Sequence, residues 1–451
     1  MMRQAQIIIC GAGILGVSAA YALAKAGLKD ILIIDERPPL TLTSAHSTEC
    51  YRNWWPDPAL VSLMNHSIDL MEQLADESGN VFRMNRRGYL YVTADETKIP
   101  AWLERSASIS NLGAGPLRIH RSRDDAYQLS PGDGFHDQPA GADLLLGNEL
   151  IRSFYPYLSD QAVAALHVRR AGWLSAQQLG MFLLERARQM GVHFELAPIA
   201  SIEVTQNRIQ GVGLKNGVHI DCPIFVNAAG PYLKSVGDLL GVDLPVFSEL
   251  HMKVAFKDSL GVVERSAPLL IWDDPQILAW GDEEREELRA DPGTSWLAGP
   301  LPAGAHFRPE GSGESQTILL LWEYRSRIVA PVFPPPMDEQ FPEITLRGVS
   351  ALVPGLRKYF QKMPKPELDG GYYTKTQENL PLVGPLPVQG AYLIGAVSGY
   401  GIMSALGLGE LLAGYIAGAE LPDYATDFSF VRYHDPNPEH KMKILEDDGQ
   451  L

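Results

Sequence analysis

The fold is decided by ten residues near the N-terminus, Ile7-Ile8-Ile9-Cys10-Gly11-Ala12-Gly13-Ile14-Leu15-Gly16. The first four are apolar without polar alternation, which is typical of a parallel strand buried on both faces. Three glycines follow in the spacing GxGxxG, and small apolar residues then recur at helical spacing until Gly27. A second apolar run, 31–34, ends at Asp35. The stretch predicts a strand–helix–strand unit that binds a dinucleotide.

Each glycine of this unit has its own physical role. Gly11 allows the tight turn, Gly13 leaves room for a pyrophosphate beside the backbone, and Gly16 lets helix and strand pack closely. The helix N-terminus offers N–H groups to the phosphates, and a carboxylate at the end of the second strand can accept from ribose hydroxyls. The residues predicted to contact the dinucleotide here are Gly11, Gly13, Ile14, Leu15, Gly16, Asp35 and Glu36.

The composition argues against several classes of protein. A net charge of −16 opposes binding to a phosphate backbone, so no nucleic-acid partner is predicted. Cys10, Cys50 and Cys222 are far apart and lack ligand spacing, so we predict neither a disulfide framework nor a metal site and expect a reducing, cytoplasmic setting. No run of about twenty apolar residues occurs, so no membrane span is predicted, and no signal peptide is expected ahead of Ile7. No oligomeric state is predicted.

The rest of the chain predicts an α/β protein in which a Rossmann-type domain carries an inserted antiparallel-sheet (α+β) substrate domain. The dinucleotide-binding domain is predicted to be discontinuous, with segments 1–85, 150–244 and 365–440. The substrate domain is assigned to 86–149 and 245–364, and an extended tail to 441–451. Segment 281–316 is rich in Asp, Glu, Gly and Pro, and we interpret it as a surface excursion or lid.

Two later blocks are more specific than the glycine spacing, which does not separate FAD from NAD. One is Phe225-Val226-Asn227-Ala228-Ala229-Gly230-Pro231. The other comprises 376–384 and the run Ser398-Gly399-Tyr400-Gly401-Ile402-Met403. In this order, with the opening unit and the polar stretch 44–52, they resemble the D-amino-acid oxidase and sarcosine oxidase family of flavoproteins. The resemblance implies that the dinucleotide is FAD and that the Rossmann-type domain is an FAD-binding domain.

The resemblance also implies further FAD contacts in three places. A helix that begins after the glycine turn would aim its N-terminus at the flavin, where it stabilises the negative charge of the reduced form. His46 is either a covalent flavin tether or a hydrogen-bonding neighbour. Gly371 stands where some relatives carry a tethering cysteine, so non-covalent FAD is predicted. The implied contacts are Ser44, His46, Ser47, Thr48, Ala228, Ala229, Gly230, Gly399, Tyr400, Gly401, Ile402 and Met403.

Substrate recognition is implied for Arg52, because enzymes similar to sarcosine oxidase bind the substrate carboxylate with an arginine in this position. Its planar guanidinium suits a carboxylate bidentately. Met403 replaces a lysine that sarcosine oxidases carry, which makes the pocket less cationic. With the aromatic residues nearby, this favours a substrate that is larger or more apolar than sarcosine. Carboxylate binding by Arg52 favours an amino acid, N-substituted or cyclic. The residues predicted to act in catalysis are Arg52, Tyr373, Tyr400 and Met403.

The predicted activity is oxidation of the C–N bond of a small amine or amino acid by hydride transfer to flavin N5, giving an imine that water hydrolyses. Strand 318–325 lacks the lysine that such oxidases use to activate oxygen, so a dehydrogenase is favoured, with an unknown electron acceptor. Two alternatives stay open. One is a flavoprotein that oxidises a 2-hydroxy acid or polyol phosphate. The other is a flavin-binding subunit whose catalysis depends on a partner chain.

Overall fold

The structure is a computed structural model that describes residues 3–311 and 313–434. The predicted extended tail, 441–451, lies outside the described residues. The helices of the described part are Ile14–Lys25, Pro58–Ser78, Ile99–Ile109, Asn148–Phe154, Ala176–Gln189, Leu233–Leu239, Asp282–Ala290, Phe341–Leu352 and Gly401–Ala417. Within these ranges, none of the helices combines the length and the apolar composition that crossing a bilayer requires.

The dinucleotide-binding unit is a six-stranded sheet assembled from distant parts of the chain. All its strands run parallel except the edge strand Leu382–Pro385, which pairs antiparallel with its neighbour. This matches the short apolar runs of the sequence, because strands covered on both faces need no polar alternation. Across the sheet the strands are His193–Leu196, Ile31–Asp35, Ile7–Cys10, Ile224–Asn227, Ala391–Gly395 and Leu382–Pro385.

Helix Ile14–Lys25 packs against two other helices, Ala176–Gln189 and Gly401–Ala417, on one face of this sheet. The last contact is close because Gly409 has no side chain, and Ser18 Oγ donates a 2.7 Å hydrogen bond to Ala405 O there. Two helices of the opening and closing segments therefore form one layer. A four-stranded sheet lies beside the six-stranded one and consists of Arg3–Gln4, His219–Asp221, Arg208–Leu214 and Ile199–Thr205.

A nine-stranded sheet forms the second half of the molecule. One of its faces is apolar, with Val254, Phe307 and Leu320 fully buried, and packs against helix Phe341–Leu352. Because side chains alternate along a strand, neighbouring residues such as Lys253 lie on the opposite face. Across the sheet the strands are Glu367–Lys375, Phe247–Lys257, Thr317–Leu321, Ala305–Pro309, Leu269–Trp272, Tyr89–Thr93, Ala164–Val168, Ala142–Leu146 and Leu117–His120.

This sheet differs from the sequence-based description in its pairing and its boundaries. It is antiparallel except for two parallel pairs, one of which joins Tyr89–Thr93 to Leu269–Trp272. Strands Ala164–Val168 and Glu367–Lys375 belong to it, although both were assigned to the dinucleotide-binding domain. Neither strand carries a local signal that names its sheet, because pairing is decided by distant partners. The domain boundaries otherwise stay a prediction.

Segment 281–316 is more ordered than the predicted excursion. It begins with the exposed acidic helix Asp282–Ala290 and continues into strand Ala305–Pro309, which lies inside the nine-stranded sheet. The strand was missed because it is only five residues long and lies within a segment rich in Asp, Glu, Gly and Pro, although His306 and Arg308 alternate with apolar residues. The first part of the segment is a surface feature, and Gly311, Gly313 and Glu314 near its end are exposed as well.

Candidate active site

A cavity of about 380 Å³ lies between the carboxyl ends of the six-stranded sheet and the polar face of the nine-stranded sheet. This edge of a parallel sheet is where ligands of such folds bind, because the strand order reverses there. The residues of the three predicted cofactor regions meet in its wall, although they are hundreds of positions apart. The predicted residues that line it are Gly11, Gly13, Ile14, Leu15, Asp35, Glu36, Ser44, His46, Ser47, Thr48, Ala228, Ala229, Gly230, Tyr373, Gly399, Gly401 and Ile402.

The glycine turn shows why each position excludes a side chain. Gly11 has a φ of 114°, and a β-carbon there would overlap the carbonyl of Ala228 on the neighbouring strand. A β-carbon on Gly16 would overlap the carbonyl of Gly11, so Gly16 acts in packing and does not line the cavity. Gly13 faces the cavity, and a β-carbon there would meet only Ser44 Oγ, at 3.3 Å.

Asp35 and Ser44 hold this turn in shape. The two carboxylate oxygens of Asp35 accept hydrogen bonds from Ala12 N at 2.7 Å and Arg37 N at 2.9 Å. Each oxygen keeps a second lone pair, so ribose binding by Asp35 stays a prediction. Ser44 Oγ accepts from Ile14 N at 2.9 Å. One N–H group that we expected to face the phosphates is therefore already engaged by a side chain of the loop.

The polar loop 43–48 fits a polar ligand. Thr43 lines the cavity, and its buried hydroxyl finds no hydrogen-bond partner among the described residues. Buried polar groups in proteins are nearly always paired, so an unpaired one in a cavity wall suits a bound group that supplies the partner. The helix Gly401–Ala417 begins in the same wall, with Gly401 and Ile402 facing the cavity. Its N-terminus adds a positive dipole end there.

The opposite wall carries a charged cluster that the sequence analysis did not identify. His251 lies between two carboxylates, with Nδ1 2.7 Å from Glu323 and Nε2 3.3 Å from Glu249. Lys375 Nζ donates to the same Glu249 carboxylate at 2.6 Å. Lys253, two positions beyond His251, pairs with Asp369 at 3.2 Å. Charged residues at every second position, 249, 251 and 253, were the signal of a strand with one polar face.

The cluster fixes the charges of its members. Burial acts to lower the pKa of His251, but the hydrogen bonds to Glu249 and Glu323 outweigh it and raise this pKa above its ordinary value. Burial acts to raise the pKa of Glu249, yet His251 and Lys375 lower it to about 2. The two carboxylates therefore favour the protonated form of the imidazole, which can make a charge-assisted hydrogen bond to each of them.

Three residues that we predicted to act in catalysis lie behind the cavity wall. Arg52 is 3% exposed, donates from Nη1 to the Tyr91 hydroxyl at 2.5 Å, and lies 4.3 Å from the ring of Trp55. Tyr400 is buried and donates its hydroxyl hydrogen to Asn379 O at 2.7 Å. Met403 is buried in the core, so neither it nor Tyr400 forms part of the lining. Of the four predicted catalytic residues, only Tyr373 lines the cavity.

Arg52 nevertheless influences the polar face of the sheet. Its charge acts on His306, which pairs across strands with the cavity-lining Leu321. Burial, together with the influence of Arg52 and His251, lowers the pKa of His306 to about 4. The hydrogen bond to Gly304 O acts in the opposite direction and raises it. The lowered pKa favours the neutral form of His306. Carboxylate binding by Arg52 stays a prediction.

Comparison with known proteins agrees with this architecture. A family model described as FAD dependent oxidoreductase, DAO, matches residues 6–415. Mitochondrial dimethylglycine dehydrogenase of Rattus norvegicus is 24% identical over 93% of this chain and 44% of its own length. The chain therefore spans less than half of that relative.

Two solved structures have the same fold. L-proline dehydrogenase from P. horikoshii has a TM-score of 0.73 at 18% identity, covering 96% of this chain and 99% of its own. Glycine oxidase from Geobacillus kaustophilus has a TM-score of 0.72 at 16% identity, covering 95% and 98%. At these identities the likeness concerns the fold alone, and it confirms the predicted α/β class with its inserted sheet domain.

Proposed function

The chain belongs to the DAO family of FAD-dependent oxidoreductases, and on that premise we propose that it oxidises the C–N bond of a small amino acid, N-substituted or cyclic. FAD is the cofactor, and when bound it accepts the hydride equivalent of the reaction. One observation carries the proposal. The cavity that begins at the glycine turn continues without a break to the charged wall around His251 and Tyr373, so cofactor and substrate can meet in it.

The charge balance of this wall favours an amino acid over a phosphate ester. Each cation that faces the cavity already has an anionic partner, Asp369 for Lys253 and two glutamates for His251. A dianionic phosphate would need surplus positive charge, whereas a zwitterion carries none in sum. The polyol-phosphate alternative is therefore disfavoured. The charges of the wall do not distinguish a 2-hydroxy acid from an amino acid, and reduction of the flavin by the two compounds does.

The relatives give independent support. Their names refer to dimethylglycine, L-proline and glycine, all of which are amino acids with a carboxylate. The first two are N-substituted or cyclic, which is the class expected with carboxylate binding by Arg52. The chain covers only 44% of the dehydrogenase, so the activity of a whole protein of that kind is part of the proposal.

The residues of the chain would act mainly by positioning. The stacked rings of Tyr373 and His251 form part of the wall against which the substrate can be held. Gly399 lies so close to the Tyr373 ring that a β-carbon on Gly399 would overlap it. Arg52 would bind the carboxylate. Fixing the reacting carbon in one orientation supplies most of the rate that such a site needs.

The test is reduction of the bound flavin by a panel of compounds in the absence of oxygen and of other proteins. We expect bleaching of the flavin absorbance by an N-substituted or cyclic amino acid. The matched amine without the carboxylate, and the matched 2-hydroxy acid, should leave the flavin oxidised. Reduction by the hydroxy acid alone would assign the alternative chemistry. No reduction by any compound until a partner chain is added would favour the subunit hypothesis.

A further inference from the structure

Two neighbouring carbonyl groups of the cofactor loop are each held by a cation of the nine-stranded sheet. Lys253 Nζ donates to Ser47 O at 2.9 Å, and Arg308 Nη2 donates to Thr48 O at 2.9 Å. The two cations come from different strands, Phe247–Lys257 and Ala305–Pro309. The carbonyls belong to adjacent residues, so one short piece of the loop is fixed at two points by the same sheet.

These cations are buried and lie in defined surroundings. The side chain of Arg308 is fully buried, lies 4.9 Å from the Trp173 ring and pairs with Glu310 at 2.8 Å. The side chain of Lys253 is 12% exposed and pairs with Asp369. A buried guanidinium is costly unless its donors are used, so the bond to the Thr48 carbonyl is part of what keeps Arg308 in place.

Planar peptide geometry passes this restraint to the cavity side of the loop. In a trans peptide the carbonyl and the N–H of the following residue point in opposite directions. Holding Ser47 O toward Lys253 therefore turns the Thr48 N–H away from the sheet. The next residue, Glu49, has a φ of 64°, a conformation that non-glycine residues rarely adopt, and its carboxylate accepts from Ala176 N at 2.8 Å.

We propose that Lys253 and Arg308 are positioning residues for FAD, because they fix the two loop carbonyls. The bond to Ser47 O directs the Thr48 N–H toward the cofactor, and the bond to Thr48 O keeps the Glu49 N–H on Ser47 Oγ, 2.9 Å away, which holds that turn of the loop in shape. Arg308 does not line the cavity, so its effect on the cofactor must pass through the loop. Lys253 does line it, with its charge paired to Asp369 and its Nζ bound to Ser47 O. The inference rests on FAD binding and is independent of which substrate is oxidised.

The test compares Arg308→Met and Lys253→Met with a control, Arg265→Met. Arg265 also donates to backbone carbonyls of the same region, Thr317 O at 2.8 Å and Glu310 O at 2.6 Å, which lie away from the cofactor loop. Two quantities are measured. One is the dissociation constant of FAD from titration of the apoprotein. The other is amide hydrogen exchange of residues 44–49 in the apoprotein.

Both methionine variants should weaken FAD binding by at least about tenfold, as expected for loss of a charge-assisted hydrogen bond, and should speed exchange at residues 44–49. Arg308→Lys should recover part of the affinity, since a single donor can still reach one carbonyl. Arg265→Met should change neither quantity. Unchanged affinity and exchange in Arg308→Met would overturn the proposal, as would an equal loss in Arg265→Met.

If Arg308→Met does not fold, Lys253→Met gives the same answer, because lysine and methionine are similar in shape and this side chain faces a cavity. Faster exchange with weaker FAD binding would support the proposal, and normal values of both would overturn it. The outcome is separable from that of the proposed function. A protein that binds FAD normally but is reduced by no amino acid would contradict the function and leave this inference intact.

Discussion

The imidazole of His251 lies flat against the ring of Tyr373, with centroids 3.8 Å apart and planes inclined by 16°. An imidazole whose protonated form is favoured by two carboxylates thus packs face to face with a phenol whose own pKa is raised by burial. Attraction between a cation and an aromatic face is strongest where water is excluded. The protonation state of His251 and the position of Tyr373 are therefore linked.

Stability should depend on pH through His251. Because the folded-state pKa is raised above the ordinary 6.5, the stabilisation is fully present below 6.5 and is lost as the pH rises through the folded value. We expect the difference in unfolding midpoint between the wild type and His251→Gln, measured with FAD bound, to be largest at low pH and to shrink on alkalinisation. A difference that is constant with pH would contradict this.

Gly13→Val should abolish FAD binding without unfolding the protein. The position borders the cavity, and only Ser44 Oγ approaches a β-carbon there, so the added side chain fills space that the pyrophosphate needs. Gly16→Val is the matched variant. Its β-carbon would overlap the backbone of Gly11, so we expect a lower unfolding temperature of the apoprotein. Undiminished flavin content in Gly13→Val would refute the assignment of the site.

FAD should be released by acid precipitation, with the flavin in the supernatant. A β-carbon at Gly371 would lie 3.6 Å from His46 Cβ, so the two candidate tether positions share one spot of the cavity wall. Gly371 has no nucleophilic side chain, and Nδ1 of His46 lies 2.6 Å from the Asp369 carboxylate. His46→Ala should leave the extraction unchanged. Flavin that stays with the pellet in the wild type and not in this variant would identify a histidine tether.

Arg52→Ala should weaken the binding of a carboxylate-bearing competitor by about 2–4 kcal/mol. This is the range expected when a charge-assisted bidentate contact is lost and its partner stays desolvated. Arg52→Lys should recover part of the loss. The dissociation constant is read from perturbation of the flavin spectrum. Tyr91→Phe is the control, because it removes the hydroxyl that Arg52 contacts and keeps the guanidinium. Equal constants in wild type and Arg52→Ala, with flavin bound in both, would assign Arg52 a structural role.

The reduced protein should react more slowly with oxygen than with an artificial acceptor. Strand Thr317–Leu321 carries no lysine, but Lys253 pairs across strands with Leu321 and lines the cavity. Its charge is compensated by Asp369 and bound to Ser47 O, so little is left for a developing anion. Stopped-flow reoxidation measures both rates. Fast, saturating oxygen consumption that disappears in Lys253→Met would show that this lysine activates oxygen.

The opening unit could be predicted because its signals are local. The first strand, the helix that follows the glycine turn and the second strand each show a pattern within a few residues. The structure places them at Ile7–Cys10, Ile14–Lys25 and Ile31–Asp35. Contact of the residues in such turns with FAD stays a prediction. Most of the residues predicted to contact FAD do line the cavity.

The substrate side could not be predicted in the same way, because it depends on contacts between distant residues. Lys253 and Ser47 are 206 positions apart, and nothing near either residue in the sequence indicates the other. Whether a side chain lies in the cavity wall or is buried behind it also depends on residues that are distant in the sequence. Arg52 and Met403 have the right sequence neighbours, yet both are buried behind the lining by packing from other segments.

The central position of strand Ile224–Asn227 has a consequence for synthesis of the protein. It pairs with Ile7–Cys10 on one side and with the much later Ala391–Gly395 on the other. While the chain emerges from the ribosome, one hydrogen-bonding edge of this strand stays unpaired until Ala391–Gly395 has been synthesised. An open apolar edge attracts strands of other chains, so the nascent protein is most exposed to aggregation during this interval. The cavity wall is complete only once the chain has been synthesised as far as Ile402.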